Sequence, residues 1–309
     1  VIPHEKFETL RYKNGALLPD GKTFIGNHGP FAGKNKGHRN SIAIIKDGIE
    51  TRWTSKHITN NTLSKLHWCH NGKGPEDPRY VEFNGEMYIL YFDGVQINGE
   101  LKSRIFISKI SDMSNRFAIA LKGVKLNACE KNWTPWVLDG KLYISYTLTP
   151  THTVYQLDPS TGVGTHVATT SFSFRPISGG SSALPHDGKM IGIGHYKDPG
   201  LSKHMNAFYK SVFYEFEDHY PYSILRVSNP FVFNKKHWCE FVTELSYDKS
   251  IKKFRINYGV NDITSMLAFV DPFDIPWNDD HEYPVVIGEE IDIPLPVIPT
   301  IDSTVMMII

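Results

Sequence analysis

A hairpin phrase recurs along this chain and constrains its fold more than any other feature. It reads DPRYVEFNGEMYILYFDG over 77–94, NWTPWVLDGKLYISYTL over 132–148 and SSALPHDGKMIGIGHYKD over 181–198. A looser copy is VTELSYDKSIKKFRINYGVND over 242–262. Each copy has a strand-like run, a tight turn on Asn-Gly, Asp-Gly or Asp-Lys, and a second run carrying Tyr or His near its end. Asn-Gly and Asp-Gly suit type I′ hairpins, because both central residues need a positive φ. The turn glycines Gly85, Gly140 and Gly188 follow one another at about 50 residues, a spacing typical of propeller blades. A fifth copy fits HRNSIAIIKDGIETR over 38–52. Five copies in 309 residues predict an all-β, five-bladed β-propeller. A β-sandwich is the rival, but it gives no reason for a repeated phrase.

Between the copies the chain keeps no helical period. Short alternating runs such as 86–91 and 141–146 dominate, rich in β-branched and aromatic residues. The length suits one large all-β domain. Residues 1–285 are assigned to the propeller and 286–309, interrupted by prolines, to a C-terminal edge segment.

In a propeller the innermost strand of every blade lines the axis. Residues flanking the hairpins therefore converge on one mouth. The polar residues at matching places are Asn40, Asp77, Arg79, Lys131, Asn132, His195 and Asp262.

Several of these sit in segments able to carry chemistry. GPEDPRY (74–80) sets two carboxylates and an arginine around a proline. Pro78 removes a backbone donor and biases Asp77 toward an extended conformation. A carboxylate paired with Arg79 keeps its ionised form, so a catalytic acid here requires Arg79 to point elsewhere or to hold substrate. EKNWTPW (130–136) offers Lys131 and Asn132 as a hydroxyl or phosphate clamp and Trp133 as a stacking face. GGSS (179–182) has the backbone N–H groups of Gly179 and Gly180 to offer an anion. His195, near the end of its strand, is suited to binding an anion or moving a proton. Asp262, closing NYGVND, has the acceptors to hold two sugar hydroxyls. Each segment also has a plain structural reading as a turn, a core residue or a loop.

Taken in order, these segments resemble glycoside hydrolase family 130, the β-mannoside phosphorylases and β-1,2-mannosidases. They are also similar to the β-1,2-mannosyltransferases and phosphorylases of glycosyltransferase family 108. The resemblance runs from about Arg39 to Asp262 and rests on EDPR, a lysine-bearing segment before a Trp-containing strand, a Gly-rich loop leading to a strand-end histidine, and YGxxD. It implies a five-bladed propeller and an inverting mechanism. Asp77 becomes the general acid or base, working through a sugar hydroxyl, and Asp262 and Asn40 line the sugar pocket. Lys131 and His195 fall on the substrate or phosphate side. The family's second-blade phosphate arginines have Arg104 and Arg116 as their candidates. The family's Lys-Asp-x-Ala-x-Phe-Pro stretch is here Lys131-Asn132-Trp133-Thr134-Pro135-Trp136, a departure that makes phosphate and sugar nucleotide equal contenders for the co-substrate.

What remains narrows the partners. Basic and acidic side chains balance at 33 each, which gives no electrostatic footprint for nucleic acid. No apolar run reaches a membrane span, and three cysteines fit no disulfide framework, so a cytoplasmic setting is expected. LHWCHNG (66–72) and KHWCEF (236–241) raise the question of a metal, but their spacing matches no zinc pattern, and no resident cofactor is expected. The leading expectation is therefore inverting glycosyl transfer on a β-mannoside-like glycan. The alternatives are an inverting hydrolase, with Glu240 or Glu244 as the second carboxylate, and a sugar-binding propeller without catalysis.

Overall fold

The computed structural model describes residues 10–30, 40–54, 74–98, 100–197, 209–237, 239–261, 263–277 and 285–292. They form five antiparallel blades around an axis, a five-bladed β-propeller. Blade 1 is β1 (Leu10–Leu17), β2 (Thr23–Pro30), β3 (Ser41–Lys46) and β4 (Ile49–Trp53). Blade 2 is β5 (Glu76–Phe83), β6 (Glu86–Ile97), β7 (Glu100–Lys109) and β8 (Asp112–Ala118). Blade 3 takes the short β9 (Ala120–Leu121) on its outside and otherwise runs β10 (Thr134–Leu138), β11 (Lys141–Thr147), β12 (Thr151–Asp158) and β13 (Val163–Ser171). Blade 4 has its inner strand in two pieces, β14 (Ser178–Gly179) and β15 (Leu184–His186), both paired to β16 (Lys189–Lys197). Then come β17 (Tyr209–Glu217), β18 (Ile224–Val227) and β19 (Phe231–Val232). Blade 5 is β20 (Glu240–Asp248), β21 (Lys253–Val260) and β22 (Thr264–Val270). After β22, β23 (Val285–Val286) runs parallel to β19, and β24 (Glu289–Asp292) becomes the outer strand of blade 5. Among the described residues no helix is long and apolar enough to cross a membrane.

The turn chemistry explains the hairpins. Asn84-Gly85, Asp139-Gly140 and Asp187-Gly188 all carry the paired positive φ that a type I′ turn demands. They join the first and second strands of blades 2, 3 and 4. The fifth copy lies elsewhere than expected. Asp47-Gly48, within 38–52, joins β3 to β4 and is the outer hairpin of blade 1. The inner hairpin of that blade is NGALLPDGKTFIGNH (14–28), turning through Asp20 and Gly21. Asp20 shapes that turn by accepting from the backbone of Lys22 and Thr23 and from the Thr23 hydroxyl.

Apolar side chains fill the spaces between blades. Trp136 stacks on Tyr143 at 4.3 Å and meets Tyr222 and Phe216 edge-on between blades 3 and 4. Each such aromatic pair adds roughly 0.5–1.5 kcal/mol beyond the area it buries. The ring closes between blades 1 and 5 by hydrogen bonds as well as packing. Gly15 N–H donates to Ser265 Oγ (2.9 Å), Leu17 N–H to Asn257 Oδ1 (3.1 Å) and Arg255 to the Leu18 carbonyl (2.9 Å). Leu17, Phe24 and Ile45 meet Leu267 in the same seam. Closure draws β1 against blade 5 and places its residues at the axis, beside β5.

Candidate active site

The mouth gathers side chains from every blade. Asp77 stands at the start of β5, inside a bulge that breaks the β5–β6 register between Glu76 and Arg79. Its φ is +52, not the extended value expected before Pro78. Two asparagines of blade 1 impose this conformation. Asn27 Oδ1 accepts from the Asp77 backbone N–H (3.0 Å), and its Nδ2 donates to Asp77 Oδ1 at 3.5 Å. Asn14 Nδ2 donates to the same Oδ1 at 2.9 Å. Asn14 is itself buried, with φ +49, at the bulge in β1. Gly259 makes room for it: a Cβ there would lie 1.9 Å from Asn14 Oδ1. Neither asparagine was singled out from sequence. They sit in the hairpin copy at 14–28, whose likeness to the other copies was the available signal.

Arg79 turns away from the Asp77 carboxylate. It donates Nε–H to Gly180 O (2.6 Å), Nη2–H to Gly179 O (3.0 Å) and Asn132 Oδ1 (3.1 Å), and Nη1–H to the Asp77 carbonyl (3.3 Å). Protein acceptors thus take four of its five donors. It is a brace across blades 2, 3 and 4 rather than a hand on the substrate. No carboxylate contacts the guanidinium among the described residues, and burial lowers its pKa to about 10.

Gly179 and Gly180 do not offer the N–H groups expected of them. Gly179 N–H donates to the Asn132 carbonyl and Gly180 N–H to that of Ile193, leaving their own carbonyls to hold Arg79. A side chain does not fit at Gly179, where a Cβ would lie 2.3 Å from Thr134 Oγ1. Asn132, at φ +61, serves the same brace through both its carbonyls. Trp133 is not a stacking face for a ligand. Its indole is 2 % exposed in the core between blades 2 and 3, edge-on to Tyr146.

Asn40 donates to Glu76 Oε1, and Lys131 lies 3.9 Å from Glu76 Oε2 and 4.0 Å above the Phe92 ring. Glu76 therefore spans blades 1 to 3 at the rim. Arg104 is mostly buried nearby, its Nη1 donating to the carbonyls of Ser103 and Asn127. Burial lowers its pKa, while Glu130 and Cys129 oppose that shift. Arg116, the other arginine candidate, is instead locked to the buried Asp93 at 2.5 Å and stacked on Phe106, so it serves the blade 1–2 interface.

His195 lies across the axis on β16, 4 % exposed, between the rings of Tyr209 and Phe241. Phe241 also stacks under Arg79 at 5.8 Å. Burial, followed by the charges of Arg79 and Lys197, pushes the His195 pKa down to about 3. The imidazole is neutral, and its Nδ1 has no hydrogen-bond partner. Asp262 lies outside the described residues, as do His67, Cys69 and His70 of the first metal-like segment.

In the remaining segment, KHWCEF, Phe241 packs beside His195, while His237 and Glu240 turn to each other. His237 Nδ1 lies 2.8 Å from Glu240 and 3.5 Å from Glu290. Glu240 also accepts the N–H groups of Phe233 and Asn234, so its oxygens are committed there. Glu244 is buried beside Tyr80, and desolvation pushes its carboxyl well above the usual range. Neither glutamate hydrogen-bonds with Asp77 or its asparagines.

No protein-family model and no curated protein matches this chain. Solved structures do. A structure from work on GH130, a family of mannoside phosphorylases that contains glycoside hydrolases targeting β-1,2-mannosidic linkages in Candida mannan, matches with a TM-score of 0.59. The two are 18 % identical over 88 % of this chain and 87 % of the other. A glycosyl hydrolase from Bacteroides ovatus matches at TM-score 0.57, with 16 % identity over 88 % and 87 % of the two chains. A mannose phosphorylase from Leishmania mexicana, in complex with phosphate, matches at 0.53, with 13 % identity over 94 % and 91 %. What the comparisons establish is the fold: this chain has the five-bladed propeller architecture of the GH130 mannoside phosphorylases and hydrolases.

Proposed function

We propose that this chain is a carbohydrate-active enzyme that transfers a glycosyl group with inversion, acting on a β-mannoside-like glycan with phosphate or a sugar nucleotide as co-substrate. The observation that carries the reading is the pairing of two features across one mouth. On one side Asp77 is clamped by neutral amides, and its Oδ2 makes no hydrogen bond with any described residue. On the other lie a buried Arg79 with no carboxylate contact and the unpartnered Nδ1 of His195.

A carboxyl with one held and one open oxygen can exchange a proton with the glycosidic oxygen, directly or through a sugar hydroxyl. A buried cation beside an open imidazole favours an anionic group arriving opposite it. In phosphorolysis a phosphate oxygen attacks the anomeric carbon from the far face as the glycosidic bond breaks. Asp77 gives its proton to the leaving oxygen. In synthesis it takes the acceptor's proton. Lys131, Arg104 and His195 are the groups we assign to the anion, and Asn40 and Asp262 those we assign to the sugar.

The hydrolytic alternative needs a second carboxylate about 6.5–9.5 Å from the acid to activate water. The engagement of Glu240 with its own loop and the burial of Glu244 favour transfer over hydrolysis. The test is product analysis with β-1,2-mannobiose in phosphate buffer, in phosphate-free buffer, and with GDP-mannose and a mannoside acceptor. Mannose 1-phosphate from the first, or an extended glycan from the third, is the expected result. Free mannose as the sole product, independent of phosphate, would establish the hydrolase. No product and no binding of any of these compounds would overturn the enzyme reading.

A further inference from the structure

Both blade-1 amides that reach Asp77 go to the same oxygen. Asn14 Nδ2 and Asn27 Nδ2 converge on Oδ1, while Asn27 Oδ1 also holds the Asp77 backbone N–H. The backbone beneath is in the left-handed region, which costs a non-glycine residue about 1–3 kcal/mol and persists only when its surroundings impose it. A structural turn aspartate needs no such double hold on one oxygen by residues more than 45 positions away.

We propose that Asn14 and Asn27 are positioning residues that select which oxygen of Asp77 exchanges the proton. With Oδ1 accepting two amide N–H groups, Oδ2 is the reacting oxygen, aimed by the bidentate grip of Asn27. The inference rests on Asp77 being the acid or base. The charged and titratable groups around Asp77 are Glu76 and Arg79 on its own strand, Lys131, which meets Glu76, and His195 across the axis. None of them hydrogen-bonds the carboxylate, which leaves the two amides as its direct partners among the described residues. Asn14 has a further part: its Oδ1 is buried without a partner against Gly259, so the side chain is held by packing and delivers only its N–H groups to Asp77.

The test uses the full chain with Asn14→Ala, Asn27→Ala and the conservative Asn27→Gln. The first readout needs no substrate: the carbon-13 NMR resonance of the Asp77 carboxyl at one fixed pH. Each alanine variant loses an N–H donor to Oδ1, so that resonance is expected to move away from its position in the parent. The second readout is turnover of β-1,2-mannobiose with phosphate, where kcat is expected to fall ~10-fold or more with KM within about twofold. Asn27→Gln is expected to recover part of kcat. Alanine variants that fold, leave the carboxyl resonance where the parent has it and keep its kcat would overturn the proposal. Asp77→Asn at full activity, with the resonance still displaced in the alanine variants, would instead break the acid assignment and leave the amide grip standing.

Discussion

Two buried histidines in neighbouring blades, one on the third strand of blade 3 and one on the second strand of blade 4, behave differently. His152, on β12, is 1 % exposed, and its pKa is pushed down to about 4 by burial. Its Nε2 meets Ser145 Oγ at 2.8 Å and its Nδ1 meets the Tyr222 carbonyl at 2.8 Å. Trp136 Nε1–H donates to that same Ser145 oxygen. Both ring nitrogens of His152 therefore have partners, and the ring is packed against Phe216 beside the stacked Trp136 and Tyr143. His195 is as deeply buried and just as neutral, yet its Nδ1 has no partner and a buried arginine faces it. Burial and a depressed pKa are therefore common to a histidine with both ring nitrogens partnered and to the one we assign to the anion. What separates them is the unmet polar atom, which folding leaves open only at a cost of about 1–3 kcal/mol. In a chain that satisfies His152 completely, an open Nδ1 at the mouth reads as a place kept for a ligand.

The largest effect that would sharpen this contrast is on stability. His152→Ala removes packing and strands Ser145 and the Tyr222 carbonyl, so a loss of about 2–4 kcal/mol is expected in urea unfolding, with the folded fraction still binding ligand. A smaller and opposite pattern is expected at the mouth. His195→Ala is expected to weaken phosphate binding by roughly tenfold in calorimetry, with unfolding free energy within about 1 kcal/mol of the parent. If His195→Ala proved the more destabilising of the two and phosphate affinity stayed level, the distinction would collapse.

Acid should expose both. Each histidine titrates near 6.5 when unfolded and far lower when folded, so the unfolded chain takes up the proton first. The stability carried by the neutral rings is complete above pH 6.5 and is lost as pH falls toward about 4 for His152 and about 3 for His195. His152→Gln is expected to flatten that part of the stability profile relative to the parent. An unchanged slope between pH 6.5 and 4 would mean that His152 is not held neutral.

How much of this was readable from sequence depends on how local the cause is. The I′ turns at Asn84-Gly85, Asp139-Gly140 and Asp187-Gly188 need only two adjacent residues with positive φ, and the blades follow from them. In blade 1 an Asp-Gly pair stands in both the inner and the outer hairpin, and the paired positive φ falls on the outer one: Asp47-Gly48 has it, whereas in Asp20-Gly21 only the glycine does. Period alone does not tell the two apart. That ambiguity hid Asn14 and Asn27. Asp77, Arg79 and His195 were legible as polar residues at matching places in the repeat, but their roles were not. Whether Arg79 grips a ligand or the Gly179 and Gly180 carbonyls is decided by partners about 100 positions away. Trp133 and Trp136 lie three residues apart, an odd spacing that sends one to the core between blades 2 and 3 and the other to the core between blades 3 and 4.

The central claim is that Asp77 exchanges the proton in glycosyl transfer, and one substitution addresses it most directly. Asp77→Asn preserves the shape and can keep the Asn27 grip on the backbone N–H, but it has no exchangeable carboxyl proton. General acid–base catalysis contributes typically 10²–10⁴-fold, so turnover of β-1,2-mannobiose with phosphate, or of GDP-mannose with a mannoside acceptor, is expected to fall at least ~100-fold. Ligand affinity and melting temperature should stay close to those of the parent. A variant that melts as the parent does and turns over at the parent's rate would contradict the account, and would make Asp77 a bulge residue whose strain serves the fold alone.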